Sequence, residues 1–315
     1  MIDGLLVLIP LSVAAVLACF RFIGCRLSTV GLPAPPDPYG EAIKKDAIAH
    51  WRLGEKTMAM PAKDQIDGHD GTYQITSLMA DLTDPSAKSA AAPGDLLLGQ
   101  PGLVASAPSQ TSVKVNGSFV SVPFSQALNP PANKAFSVEA WVNPEWDASE
   151  TDVFRCVVAS RKDTGPGAAK VGYILYAGPS LDPQVTDGKM HWQAWVGDGV
   201  NAWVMKVGPQ VVVRQTTYLL LTYDGLTQPT TLTLDAIPVD TDMTTAMIQA
   251  ARSVRTPATY SPVLDDTIQL FIGMGTPETW PPHFAFFGRL QEIAFYDRAL
   301  SPADVFDHLT KAKST

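Results

Sequence analysis

Cysteine and charged residues are both scarce in this sequence. The 315 residues include only 3 cysteines, too few for a disulfide framework. Charged residues make up 17% of the chain, the formal net charge is −8, and no run of lysine and arginine is interleaved with aromatic residues. A nucleic-acid ligand would require such a basic, aromatic surface. We therefore expect no disulfide core and no nucleic-acid partner.

Apolar residues, proline and glycine are abundant instead. Hydrophobic residues make up 46% of the chain, and 26 prolines and 23 glycines are spread along it. This combination is typical of many short strands joined by turns. In residues 136–142, FSVEAWV, Phe136 and Val138 alternate with Glu139 and Trp141. That period predicts a strand with one buried and one available face. We predict an all-β fold, a two-sheet antiparallel sandwich with a short C-terminal helix.

The N-terminal residues form one long apolar run. Residues 4–24 contain Arg21 as their single charge. A helix of this length spans about 31 Å, enough to cross the bilayer core. We predict a transmembrane anchor over residues 1–27 and an extended, Pro-rich tether over residues 28–45. The side chains expected to contact lipid include Leu5, Leu8, Val13, Leu17 and Phe20.

Other interpretations of this apolar run stay open. A cleaved signal peptide would begin with a basic region, whereas this chain begins MIDG, with an acid at Asp3. A lipoprotein signal would end at Cys19 or Cys25, and the sequence does not say whether either cysteine is lipidated. The segment could also be buried inside a protein assembly.

The C-terminal stretch predicts a strand followed by a capped helix. In residues 286–296, strict alternation would place Leu290 and Glu292 on one face and Ile293 on the other. Ser301 is the expected N-cap, Pro302 the first helical residue, and Asp304 the residue that completes the cap. The apolar face of the helix would be formed by Val305, Phe306 and Leu309.

This stretch closely resembles the closing strand and helix of LamG-like domains of the concanavalin A type. The resemblance rests on GRLQEIAFYDRALS at 288–301, and AIAHWRLGE at 47–55 matches the opening strand. Further matches follow in family order, among them DQIDGHDGTYQ at 64–74, FSVEAWVNPEW at 136–146, GYILYAG at 172–178 and YLLLTYDG at 218–225. The resemblance implies one jelly-roll sandwich over residues 46–312, with the first and last strands paired.

The resemblance also bears on where the large domain lies. Family members occur mostly outside the cytoplasm, which favours an extracytoplasmic domain on a single-pass anchor. Arg21 and Arg26, opposite Asp3, argue for the other side of the membrane under the positive-inside rule.

Catalytic residues are not evident in the sequence. Glycosidases of this fold class need two carboxylates flanking the sugar bond, and the strand signature E-x-D-x-x-E is absent. Glu139 stands alone on its strand, and we expect it to serve the sheet surface or a backbone contact. The five histidines are dispersed, without metal-ligand spacing or a nucleophile partner. We therefore expect no enzymatic activity.

Structural calcium is the one cofactor that the resemblance implies. In the family the ion lies where the first and last strands meet, which corresponds to Glu55 and Glu292 here. A second candidate set is Asp64, Asp67 and Asp70. For this second set we favour the simpler interpretation that Asp and Gly form a tight turn.

Candidate binding residues are aromatic or methionine side chains. Trp192 and Trp195 differ by three positions, so on a regular strand they face opposite sides, and one is expected to face outward. Within residues 240–262 a short helix is expected, whose methionines pack on the domain or contact a partner. The candidate binding residues are Trp195, Trp203, Trp280, Met243 and Met247.

These observations favour a non-catalytic, membrane-anchored interaction or structural subunit of a larger protein complex. Its partners would be protein subunits and the lipid bilayer. A surface carbohydrate-binding module is the first alternative, and a glycoside hydrolase of the concanavalin A-like class is the second.

Overall fold

The computed structural model of the chain describes residues 37–66, 68–75, 95–107, 110–163, 167–275 and 284–314. From Asp37 onward the chain forms one compact unit of two antiparallel sheets with a short C-terminal helix, which confirms the predicted sandwich. None of the helices in the described ranges is both long and apolar enough to cross a membrane. The predicted anchor over residues 1–27, Asp67 and Trp280 lie outside the described residues.

The first sheet has eight strands among the described residues. They are β1 (Ala49–Trp51), β3 (Asp95–Pro101), β4 (Thr111–Asn116), β6 (Phe136–Pro144), β11 (Thr217–Asp224), β12 (Thr231–Pro238), β13 (Thr256–Pro257) and β15 (Phe287–Tyr296). Their order is β13-β12-β11-β6-β15-β4-β3, and β1 pairs with β15. The predicted pairing of the first and last strands is therefore confirmed, with Trp51 opposite Ile293.

The second sheet has seven strands in the described part of the chain. They are β2 (Thr72–Gln74), β5 (Phe119–Val122), β7 (Arg155–Lys162), β8 (Val171–Pro179), β9 (Met190–Gly197), β10 (Trp203–Gln210) and β14 (Leu270–Ile272). Their order is β10-β9-β8-β7-β14-β5-β2. The inward side chains of both sheets form the main hydrophobic core.

Three α-helices are described: α1 (Pro38–Asp46), α2 (Thr245–Ala251) and α3 (Pro302–Lys313). The predicted extended tether is wrong for residues 38–45, because they belong to α1. Asp37 caps this helix by accepting from the Gly40 backbone N–H at 2.9 Å, and Pro38 supplies a φ angle suited to the first turn. Tyr39 and Ile43 are fully buried, so α1 packs within the compact unit.

The C-terminal helix begins as predicted. Ser301 and Asp304 form a complete capping box at the N-terminus of α3. Its buried face differs from the prediction, because Phe306 is 37% exposed while His308 is buried beside Val305 and Leu309. A histidine therefore lies in the apolar stripe, and it has a charged partner there.

Strand β6 is buried on both faces, which corrects the prediction of an available face. Phe136 and Val138 face the core between the sheets. Trp141, on the opposite face, packs in a second hydrophobic cluster with Tyr39 of α1 and Leu309 of α3. The helices that cover this face lie far from β6 in sequence, so the strand's own alternation does not report them.

A β-bulge changes which side chains of β15 face the core. The pairing of β15 with β6 is regular up to Gln291 and resumes at Ala294, and Glu292 has a positive φ of 52°. Leu290 and Ile293 therefore both pack in the core between the sheets. The predicted strict alternation is wrong across this point, because the bulge inserts an extra residue.

Candidate functional site

An outer aromatic cluster lies on the second sheet, on the face directed away from the core. It is anchored on β9, where Trp192 packs in the core and Trp195 projects to the other side, as predicted. Trp203 of β10 lies beside Trp195 and, like it, is partly exposed. The members of the outer aromatic cluster are Phe154, Tyr176, Trp195, Trp203 and Phe284.

The rings of this cluster hold one another in place. The Trp195 ring centroid lies 6.3 Å from that of Trp203, 5.5 Å from that of Tyr176 and 5.8 Å from that of Phe154. The contacts of Trp195 with Tyr176 and Phe154 are edge-to-face, a favourable arrangement of aromatic rings, and its contact with Trp203 is tilted. Gly178 makes room for Phe154, since a Cβ atom there would lie 2.3 Å from the Phe154 ring. The indoles are thus set in a fixed, partly open surface.

Hydrogen bonds fix both indole N–H groups. Trp195 Nε1 donates to Gln193 Oε1 at 2.9 Å, and the Gln193 amide donates to the Pro179 carbonyl at 2.8 Å. Trp203 Nε1 donates to Asp163 Oδ2 at 3.3 Å. With their polar groups satisfied, the indoles present their apolar faces to a ligand.

Charged groups border the aromatic rings on one side. Asp163 forms ion pairs with Lys170 and with Arg161, whose Nη1 lies 3.8 Å from Asp163 Oδ2. The Arg161 guanidinium also lies 5.8 Å from the centroid of the Phe284 ring, a cation–π distance. An aromatic surface bordered by polar groups is suited to binding an amphipathic ligand by stacking and hydrogen bonding.

The structure brings together only part of the predicted binding set. Trp195 and Trp203 are neighbours, whereas Met243 packs against the hydrophobic cluster outside the first sheet. Met247 lies on α2 and is 47% exposed. The two methionines thus belong to a different surface, and Trp280 lies outside the described residues.

Sequence reasoning missed three members of the outer aromatic cluster. Tyr176 could have been found, because it alternates with Tyr173 and Leu175, which both face the core. Phe154 and Phe284 precede β7 and β15, where no strand period indicates their direction. Only the folded chain places them beside Tyr176.

Glu139 lies at the centre of a buried carboxylate cluster outside the first sheet. Its Oε1 accepts from the Tyr39 hydroxyl at 2.5 Å, and its Oε2 accepts from the Tyr296 hydroxyl at 2.9 Å and from His308 Nδ1 at 2.9 Å. Trp141 Nε1 donates to the Tyr39 hydroxyl at 2.6 Å. The prediction that Glu139 serves the sheet surface or a backbone contact is wrong, because its partners are buried side chains of α1, β15 and α3.

The electrostatics of the buried carboxylate cluster favour an ion pair. Burial by itself would raise the pKa of Glu139, but the His308 charge and the hydrogen bonds from His308, Tyr39 and Tyr296 lower it overall. Burial would lower the pKa of His308, but the Glu139 carboxylate raises it overall. The pair ties α3 to β6, and Tyr39 ties α1 to the same carboxylate.

The Asp-rich turn after β1 is held by its own hydrogen bonds. Asp64 Oδ1 accepts from the His50 and Ile66 backbone N–H groups at 2.8 and 3.0 Å, and Oδ2 accepts from the His69 N–H at 3.1 Å. Asp70 accepts from the Asp64 N–H at 3.0 Å and pairs with a lysine. These hydrogen bonds to Asp64 and Asp70 are those of a tight turn, and Asp67, the third candidate calcium ligand, lies outside the described residues.

The other two predicted calcium ligands are also engaged by donors. Glu55 accepts from the Lys63 N–H at 2.9 Å and from the Tyr73 hydroxyl at 2.5 Å. Glu292 pairs with His50 Nε2 at 2.5 Å, and both side chains are buried. Across the described residues, no three acids, histidines or cysteines are grouped to hold a metal ion.

Two antiparallel sheets packed around a shared hydrophobic core define a β-sandwich. The family model of the concanavalin A-like lectin/glucanases superfamily, laminin G type, matches residues 116–306. The chain belongs to this superfamily. A comparison with curated proteins finds no match.

Several solved structures are similar to this chain. Domain 4 of AbnA, a GH43 extracellular arabinanase from Geobacillus stearothermophilus, in complex with arabinotriose, is 16% identical, with a TM-score of 0.40, over 84% of this chain and 98% of that domain. The binding domain of Paraclostridial Mosquitocidal Protein 1 is 14% identical, with a TM-score of 0.42, over 85% of this chain and 52% of that one. The binding domain of botulinum neurotoxin DC, in complex with SialylT, is 8% identical, with a TM-score of 0.45, over 87% and 53%. This chain thus spans about half the length of the two toxin domains.

Proposed function

We propose that the sandwich is a non-catalytic carbohydrate-binding module whose ligand contacts the outer aromatic cluster. The observation that carries this proposal is the pair of partly exposed indoles, Trp195 and Trp203, with ring centroids 6.3 Å apart. Sugar rings have apolar faces that stack on indoles, and hydroxyl edges that hydrogen-bond to flanking polar groups. Asp163 and Arg161 supply such groups beside the rings.

Binding assays with single substitutions test this proposal. Replacing either indole, Trp195→Ala or Trp203→Ala, should weaken binding to an immobilised polysaccharide panel about tenfold or more, since truncating an aromatic anchor removes most of its contact. Phe306→Ala is a matched control, because this exposed aromatic lies on α3, outside the other sheet. Unchanged polysaccharide binding in both tryptophan variants, or no binding by the parent chain, would reject the module.

We propose further that the sandwich does not hydrolyse its ligand. The support is the position of Glu139, which is fully buried beneath two helices and accepts three hydrogen bonds. A glycosidase acid must instead reach the sugar bond. Release of reducing ends from any polysaccharide in the panel by the purified chain would overturn this part of the proposal.

A second candidate function is a membrane-anchored interaction subunit of a protein complex. It is favoured by the apolar run at residues 4–24 and by the exposed Met247 on α2. Deleting residues 1–30 should then release the chain from the membrane fraction. Met247→Lys should reduce co-purification of partner subunits, whereas Lys189→Glu, in the turn before β9 of the other sheet, should not. A full-length chain that carbonate washing removes from membranes would count against the anchor.

A further inference from the structure

A separate pocket lies outside the first sheet, on the side of the sandwich opposite the outer aromatic cluster. Its volume is about 240 Å³, and its floor is formed by the outward side chains of β11 and β12. One wall comes from α2 and the residues after it, and the other from the start of α3. The polar residues of its lining include Thr222, Asp224, Thr231, Thr233, Gln249 and Arg255.

Threonine hydroxyls line the floor of this pocket. Thr231 and Thr233 are only 7% and 8% exposed, and both line the pocket. A threonine hydroxyl can both donate and accept a hydrogen bond, so two of them facing one pocket suit a ligand that carries polar groups. Thr222 lies opposite Thr233 in the sheet and adds a third hydroxyl to the floor.

One wall of the pocket carries a cation that is free to bind. The Arg252 guanidinium is occupied, because it pairs with Asp235 and donates to the Leu300 carbonyl at 2.6 Å. Arg255 is exposed and forms no ion pair within the described ranges. The N-terminus of α3 adds little, since the Ser301 capping box already uses its donors.

The pocket lining also contains the carboxylate of Asp224 and the side-chain amide of Gln249. The Asp224 carboxylate accepts from the Leu226 N–H at 3.1 Å and from the Thr227 hydroxyl at 3.0 Å, which fixes its position at the rim. Gln249 adds an amide. Aromatic rings are absent from the lining that the described residues provide, so recognition here would rest on hydrogen bonds and charge rather than stacking.

We propose that this pocket binds a small polyhydroxylated carboxylate. The Arg255 guanidinium would pair with the ligand's carboxylate, and Thr231, Thr233 and Asp224 would bond to its hydroxyls. The pocket volume of about 240 Å³ matches a ligand of about one sugar ring or an open chain of similar length. This site is independent of the outer aromatic cluster, so either proposal can fail without the other.

Isothermal titration calorimetry on the purified full-length chain tests the pocket. D-Glucuronate represents a cyclic sugar acid and D-gluconate an open-chain hydroxy acid, and at least one should bind. D-Glucose lacks the carboxylate and propionate lacks the hydroxyls, so each should bind about tenfold more weakly or not at all. The acid that binds with the lower Kd shows whether the pocket prefers a cyclic sugar acid or an open-chain hydroxy acid.

Two variants locate the binding. Arg255→Gln and Thr233→Val should each weaken binding of the acid about tenfold or more. Arg214→Gln is a matched control at an exposed arginine near the other end of β11, and Trp195→Ala is a control on the other sheet. No binding of either acid, equal binding of propionate, or unchanged affinity in Arg255→Gln would each overturn the proposal. Because Arg255 is exposed, its variant stays informative even if Thr233→Val unfolds.

Discussion

At the scale of single residues, Glu139 is notable as a charged side chain that is fully buried in the sandwich. Its carboxylate is fully buried, and it is stable there only because His308 supplies a counter-charge and two tyrosines donate hydrogen bonds. The three partners come from α1, β15 and α3. One acidic side chain thus links both helices to the sheet.

Neutralising this carboxylate should destabilise the fold. Glu139→Gln keeps the shape but removes the counter-ion of His308, so we expect a loss of about 3 kcal/mol in the free energy of unfolding, measured by urea denaturation. Glu41→Gln is the control, since Glu41 pairs only at the surface with Lys44 and should change stability by less than about 0.5 kcal/mol. Equal stability of the two variants would contradict the ion pair.

The same pair should make stability depend on pH in two directions. The pKa of His308 is raised in the fold, so its contribution is complete below its unfolded pKa of about 6.5 and is lost as pH rises through the higher folded pKa. The pKa of Glu139 is lowered, so its contribution is present above its unfolded pKa of about 4.3 and is lost as pH falls through the lower folded pKa.

Urea denaturation from pH 3 to 10 measures this dependence. The stability difference between the parent chain and His308→Gln should be largest near pH 5–6 and should shrink on either side. A difference that stays constant across that range would show that His308 contributes packing alone.

At the scale of elements, α1 covers part of the outer face of the first sheet, together with α3. Ile43 is fully buried against that face, so Ile43→Ala should lower the free energy of unfolding by about 2–5 kcal/mol. Lys45→Ala, on the exposed side of the same helix, should have little effect. Chemical denaturation followed by tryptophan fluorescence measures both variants. Similar midpoints would mean that α1 is not part of the cooperative fold.

At the scale of the whole molecule, β15 closes the sandwich. It lies between β6 and β4 and also pairs with β1, so it joins the two ends of the compact unit. A chain ending at residue 285 should be insoluble, because it leaves unpaired strand edges and an uncovered apolar face. A chain ending at residue 313 keeps all of α3 and should remain soluble. A soluble shorter chain that melts cooperatively would show that β15 is dispensable.

The sequence by itself determined the local features of this protein. Alternation in β6, opposite directions for Trp192 and Trp195, and the Ser301–Asp304 capping box all follow from residues a few positions apart. The strand and turn patterns predicted the two-sheet sandwich, and the resemblance to LamG-like domains implied the pairing of its first and last strands.

Only the tertiary structure decided which surfaces are covered and which side chains meet. Tyr39 and Glu139 lie 100 positions apart in the sequence, and His308 lies 169 positions after Glu139. The hydrophobic period of a single strand or helix therefore could not predict that these side chains meet. The bulge at Glu292 likewise places Leu290 and Ile293 on the same core face, although they are three positions apart and strict alternation would separate them. Periodicity reports how a segment alternates, whereas burial depends on distant segments that compete to cover the same face.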